Sequence, residues 1–144
     1  MMKRLKIVFT CYKGEREMRN QKFYICEVCG NLVGKIDDGR VPMMCCGKKM
    51  EELVPNTKEA STEKHLPVYE MKNNLLEVSI GSTLHPMSEE HNISWVYVET
   101  ENGGQRKILK VNSEPKVSFC LVDDRPLSIF AYCNLHGLWK TEIK

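Results

Sequence analysis

The chain has four histidines, and each stands beside residues that extend its chemistry. His65 lies in Thr62-Glu63-Lys64-His65-Leu66-Pro67-Val68, where an acid and a cation precede a metal-capable imidazole and a proline stiffens the backbone after it. His85 and His91 are separated by five residues, and His136 follows Cys133 in a Cys-x2-His spacing. A lone imidazole is an ordinary surface or core residue. Imidazoles gathered into three such stretches, one of them with a thiol, point to a shared ion. His65, His85, His91, Cys133 and His136 are expected to close around one metal, with Glu63 and Lys64 at its mouth. Four imidazoles and a thiolate exceed what zinc takes in a closed structural site. A blue-copper site wants two histidines, a cysteine and usually a methionine after the last histidine, and none follows His136. Iron accepts five nitrogen and sulfur donors in an octahedral frame and keeps a sixth position open for chemistry.

A second constellation precedes this one. Cys26 and Cys29 are two residues apart and lead into Gly30, and Cys45-Cys46-Gly47 follows after fifteen intervening residues. A tight glycine-terminated turn lets backbone amides face two sulfurs that point at one ion. Roughly 35 residues cannot bury enough apolar surface to fold without help, so a metal held by Cys26, Cys29, Cys45 and Cys46 is expected on physical grounds. Adjacent cysteines strain a regular tetrahedron, and thiolate softness permits zinc or iron.

These residues need elements to position them. With 144 residues, 42% hydrophobic and 28% charged, the chain has the composition of one ordinary domain or of one domain with a smaller appendage. A net charge of +2 gives no bulk electrostatic case for a nucleic-acid partner, and no apolar run is long enough to span a membrane. Seven cysteines, an odd number in metal-type spacings, favour thiolate sites over a disulfide framework and hence a reducing, cytoplasmic setting. Residues 1–17 form an N-terminal extension. Its apolar run is too short for a signal core, and Lys13-Gly14-Glu15-Arg16-Glu17 before Met18 also fits translated ribosome-binding sequence, with Met18 as the start.

Residues 18–54 read as a small cysteine knuckle domain, and residues 55–144 as a second, all-β domain behind a polar, proline-marked linker. Leu76, Val78 and Ile80 alternate with polar residues, as do Val117, Phe119 and Leu121. Further strands are expected over Ile93 to Val98, Arg106 to Val111, Leu127 to Tyr132 and Leu138 to Ile143. Asn102-Gly103-Gly104 is expected as a hairpin turn. Six or seven short strands at regular spacing predict an antiparallel sandwich with no helix. Cys120, within a strand, is expected in the core.

Cys26-x2-Cys29-Gly30-Asn31 with Cys45-Cys46-Gly47 resembles the desulforedoxin-type iron centre. Glu63-Lys64-His65-x-Pro67, His85-Pro86-Met87-x3-His91-x-Ile93-x-Trp95 and Cys133-Asn134-x-His136-Gly137-Leu138-Trp139 resemble the catalytic domain of superoxide reductase. Together, over about residues 20 to 144, they resemble the two-iron desulfoferrodoxin family. The resemblance implies a rubredoxin-type iron knuckle followed by an immunoglobulin-like β-sandwich. It also implies an accessory iron on the four cysteines and a ferrous iron on the four histidines, with Cys133 axial. The implied activity is one-electron reduction of superoxide to hydrogen peroxide, with re-reduction by rubredoxin or a similar carrier, in a homodimer. Glu63 is then the sixth ligand of the oxidised iron, while Lys64 draws in the anion and organises the water that protonates it. Two other classes fit parts of the sequence: a zinc-stabilised binding module, with Lys48 and Lys49 beside the knuckle, and a pure electron carrier.

Overall fold

The computed structural model describes residues 20–144, so Cys11, the extension and the alternative start at Met18 lie outside the described residues. The described chain is almost entirely β. Its first part holds β1 (Lys22–Ile25), β2 (Leu32–Lys35), β3 (Met44–Cys45), β4 (Lys48–Lys49) and β5 (Glu51–Glu52). β1 is the centre of a small antiparallel sheet between β2 and β5, and β3 pairs with β4 as a separate hairpin. Cys46 and Gly47 form the tip of that hairpin, both at positive φ (50° and 73°), the conformation a two-residue primed turn requires. The direct Cys45-Cys46 adjacency is thus resolved by a tight turn that swings one sulfur past the end of the strand.

The second part opens with one helical turn, α1 (Thr62–His65), followed by β6 (Pro67–Lys72), β7 (Leu75–Ile80), β8 (Ile93–Thr100), β9 (Gly103–Ile108), β10 (Lys116–Cys120), β11 (Pro126–Cys133) and β12 (Gly137–Glu142). Two antiparallel sheets result, ordered β10-β7-β6 and β12-β11-β8-β9. Leu76, Val78 and Ile80 from one sheet meet Ile93, Val96, Val98, Ile129 and Ala131 from the other in a single core. The expected sandwich is present. β8 and β11 read as nearly continuous apolar runs because both their faces are covered. The outer face carries Trp95, Phe130 and Leu138, and Phe23 of β1 packs into them, with ring centroids 5.0 Å from Trp95 and 5.4 Å from Phe130. That aromatic cluster fastens the knuckle to the sandwich.

Three expectations are corrected. Thr62–His65 is helical, although only for one turn. Gly103 and Gly104 already belong to β9, and the turn sits at Glu101-Asn102, where Asp124 accepts hydrogen bonds from the Asn102 amide, the Asn102 side chain and Thr100. Cys120 is exposed, because Phe119 and Leu121 take the inward positions and leave it facing outward. Among the described residues, no helix is long and apolar enough to cross a membrane.

Candidate metal centres

The sandwich delivers its five candidate ligands to one end. Cys133 is the last residue of β11 and pairs with Gly137, the first of β12, so His136 sits in the short loop between them. Cys133 also faces Ile93 across the ladder, which brings in His91 just before β8. Pro67 at the start of β6 pairs with Ile80 at the end of β7, placing His65 and His85 on either side of that junction. One donor atom from each of His65, His85, His91, Cys133 and His136 lies within 4.8 Å of all the others. His65, His85 and Cys133 are buried, at 2%, 2% and 0% exposure.

The four rings form a closed square. Going round in the order His65, His85, His91, His136, neighbouring centroids are 4.6, 4.5, 5.0 and 4.8 Å apart, and the His65–His91 diagonal is 6.2 Å. Each ring stands nearly upright against the next, at 75°, 82°, 74° and 89°. An ion about 2.1 Å from two nitrogens at right angles holds them about 3.0 Å apart. His85 Nε2 lies 3.1 Å from His65 Nε2, and His65 Nε2 lies 2.9 Å from His136 Nδ1. Cys133 Sγ is 3.6 Å from His136 Nδ1.

The protons show what this arrangement requires. His65 Nδ1 is 2.6 Å from the Ser61 carbonyl and His85 Nδ1 is 2.6 Å from the Pro86 carbonyl. A carbonyl only accepts, so both Nδ1 atoms carry the hydrogen and both Nε2 atoms present bare lone pairs. Those lone pairs face each other at 3.1 Å, which is a repulsion unless a cation sits between them. A proton is a poor candidate, since burial pushes the His85 imidazole down to about 4 and also lowers His65. His91 Nε2 is buried with no hydrogen-bond partner among the described residues. The donor set therefore fits a metal ion. Burial raises the Cys133 thiol, while the backbone N–H groups of His136 and Leu135 oppose that shift and favour the thiolate.

Glu63 and Lys64 are exposed on α1 and are not among the converging donors. The Lys64 charge nonetheless reaches the site: after burial and the other imidazoles, it contributes to lowering both His65 and His91. α1 has no side-chain cap and is held from outside. Thr83 N–H and Ser82 Oγ donate to the Glu63 carbonyl, each at 3.2 Å, and Gly81 N–H donates to the Leu66 carbonyl at 3.0 Å. Gly81 has φ +84°, and a Cβ there would lie 2.3 Å from the Thr83 oxygen, 2.7 Å from Lys64 O and 2.9 Å from Glu63 O. This glycine lets the ligand turn approach the end of β7. Trp139 stacks on His65 at 4.8 Å and donates its indole N–H to the His136 carbonyl at 3.2 Å. No sequence signal marked Gly81 as functional; Trp139 stood in the recognised motif without a role.

The knuckle cysteines converge as well, their sulfurs all within 4.8 Å of one another. Cys29 and Cys45 are 3.6 Å apart, and Cys45 and Cys46 are 4.0 Å apart. A tetrahedral ion about 2.3 Å from each sulfur sets them about 3.8 Å apart, whereas a disulfide needs about 2.05 Å. Backbone N–H groups of Cys29 and Val28 bring Cys26 down to about 7, while contact with Cys29 and Cys26 pushes Cys46 up to about 12. Four thiolates this close need a cation to coexist.

Comparison with known proteins agrees with this geometry. The family described as Desulfoferrodoxin matches residues 57–142, and its N-terminal domain matches residues 18–53. The chain belongs to the desulfoferrodoxin family. It is 43% identical over 118 residues to a desulfoferrodoxin homolog of Archaeoglobus fulgidus, a match spanning 82% of this chain and 94% of that one. It is 38% identical to a desulfoferrodoxin of Nitratidesulfovibrio vulgaris, across 87% of this chain and 99% of the other. Among solved structures, the superoxide reductase from Treponema pallidum superposes with a TM-score of 0.72 at 34% identity, covering 86% of this chain and all of that one (100%). As in that family, the two donor sets of this chain are the sites of two irons.

Proposed function

We propose that the chain is a superoxide reductase whose chemistry takes place at the five-donor centre. The observation that carries this is the square of imidazoles, two of them locked with lone pairs face to face beside the buried Cys133 sulfur. His65, His85, His91, His136 and Cys133 would hold an iron there. In its ferrous form that iron would supply the one electron that, with two protons, converts superoxide to hydrogen peroxide. As a donor to that iron, the Cys133 sulfur would push electron density toward it. Lys64 attracts the anionic substrate, since a single cation near a mouth raises association several-fold at low salt. Glu63, two residues before His65, serves as the additional ligand of the oxidised centre.

The assignment of residues 18–54 to an accessory iron domain and 55–144 to the catalytic domain follows the same reading. A small iron carrier of the rubredoxin type re-reduces the centre, and the chain works as a cytoplasmic homodimer. The test is anaerobic purification, metal analysis, and mixing of the ferrous protein with a limiting amount of superoxide. Expected are two irons per chain and one peroxide formed per superoxide without oxygen release. Colourless zinc protein, or iron protein that leaves superoxide untouched, would overturn the assignment.

A further inference from the structure

The loops that bring His91 and Cys133 together are tied by two asparagines. Asn134 N–H donates to the Asn92 carbonyl at 3.1 Å, and Asn92 N–H donates to Asn134 Oδ1 at 2.9 Å. Asn134 Nδ2 donates to the Glu90 carbonyl at 2.9 Å. Both ends of one carboxamide are therefore spent on the residues that flank His91 on either side. Asn92 secures the far side of the same loop, its Nδ2 donating to the Ser88 and Glu89 carbonyls at 2.9 and 3.2 Å.

His91 needs this more than the other imidazoles do. The rings of His65 and His85 are each fixed by a carbonyl, and the His136 backbone is held by Trp139. His91 Nε2 has no partner among the described residues, and His91 is held through its backbone, by Ser88 Oγ accepting from its N–H at 3.1 Å and by Ser88 N–H donating to its carbonyl at 3.0 Å. A ring without its own hydrogen bond can be aimed only by the chain on which it sits.

We propose that Asn134 is the positioning residue of His91, fixing the His91 loop to the Cys133 loop so that the His91 ring reaches the metal shared with Cys133. The proposal rests on the five-donor reading above. Asn134 does not touch substrate or metal; it acts through His91. Its side chain is exposed, so replacing it opens no cavity.

The experiment measures iron loss to a chelator from the whole two-iron protein, with each iron followed by its own absorption. Asn134→Ala should release iron from the five-donor centre 10–100-fold faster, the range for removing a group that orients a ligand, and leave release from the four-cysteine centre unchanged. Asn134→Asp, which keeps the acceptor for Asn92 N–H but loses the donor to Glu90, should fall between the two. In a His91→Ala background, Asn134→Ala should add less than twofold, because its effect passes through His91. Equal acceleration at both irons, an effect under twofold in the single variant, or full multiplication in the double variant would overturn the proposal. Wild-type protein that holds no iron on the five donors would overturn the underlying reading, and the proposal with it.

Discussion

Replacing Gly81 with alanine should damage the protein in a way that replacing Gly30 does not. Both glycines have positive φ, +84° and +78°, so both substitutions carry the strain of a left-handed L-residue, about 1 kcal/mol. A Cβ at Gly30 meets nothing within 4 Å, so no further cost arises there. At Gly81 it would overlap three backbone oxygens at 2.3, 2.7 and 2.9 Å, none of which can rotate away as a side chain would. Forced overlap in a packed site costs a further 1–3 kcal/mol or so, giving a total of about 2–4 kcal/mol for Gly81→Ala. The overlap can be relieved only by moving the 81–83 loop or the Thr62–His65 turn, and moving the turn displaces His65. A shift of about 1 Å at such a ligand is enough to cost on the order of a hundredfold in rate. Urea unfolding followed by fluorescence of Trp95 and Trp139, alongside superoxide kinetics, measures both effects. Gly81→Ala matching Gly30→Ala to within about 0.5 kcal/mol, with an unaltered rate, would refute the reasoning.

Cys133→Ser should abolish the thiolate-to-iron charge-transfer absorption and most of the activity, read by visible spectroscopy and by peroxide yield. Cys45→Ser should bleach only the four-cysteine iron and leave peroxide formation intact, as an accessory centre requires. Lys64→Ala should slow the second-order reaction with superoxide several-fold at low ionic strength, and the gap should close as salt is added. Metal-free protein should lose stability as pH falls from about 6.5 toward 4: burial keeps His85 neutral to about 4, the unfolded chain takes up that proton near 6.5, and acid therefore favours the unfolded state in this window. Urea midpoints across that range would check it, and a flat or opposite trend would contradict it.

Much of this was legible in the sequence because the relevant signals are local. The ligand spacings name nine residues without any fold, and period-two alternation in β7 and β10 marks their inward faces. What escaped depends on partners far along the chain. α1 is too short to show a helical period and lacks a cap of its own, being held by Ser82 and Thr83. The β8–β9 turn begins before its glycines because Asp124, more than twenty residues away, anchors Asn102 and Thr100. The ring order around the metal, the crowding at Gly81 and the Asn92–Asn134 tie arise only once β7, β8 and β11 share an end. Cys120 follows the period-two alternation outward, between the inward Phe119 and Leu121, so its place on the exposed face was already written in the β10 pattern.

Anomalous diffraction at the iron absorption edge, from crystals grown without oxygen, reaches the central claim most directly. The account predicts two peaks per chain, one among the four knuckle sulfurs and one about 2.0–2.2 Å from the facing nitrogens of His65, His85, His91 and His136, with Cys133 Sγ on the same atom. A peak that the Cys133 sulfur does not touch, or no iron inside the imidazole square, would contradict it.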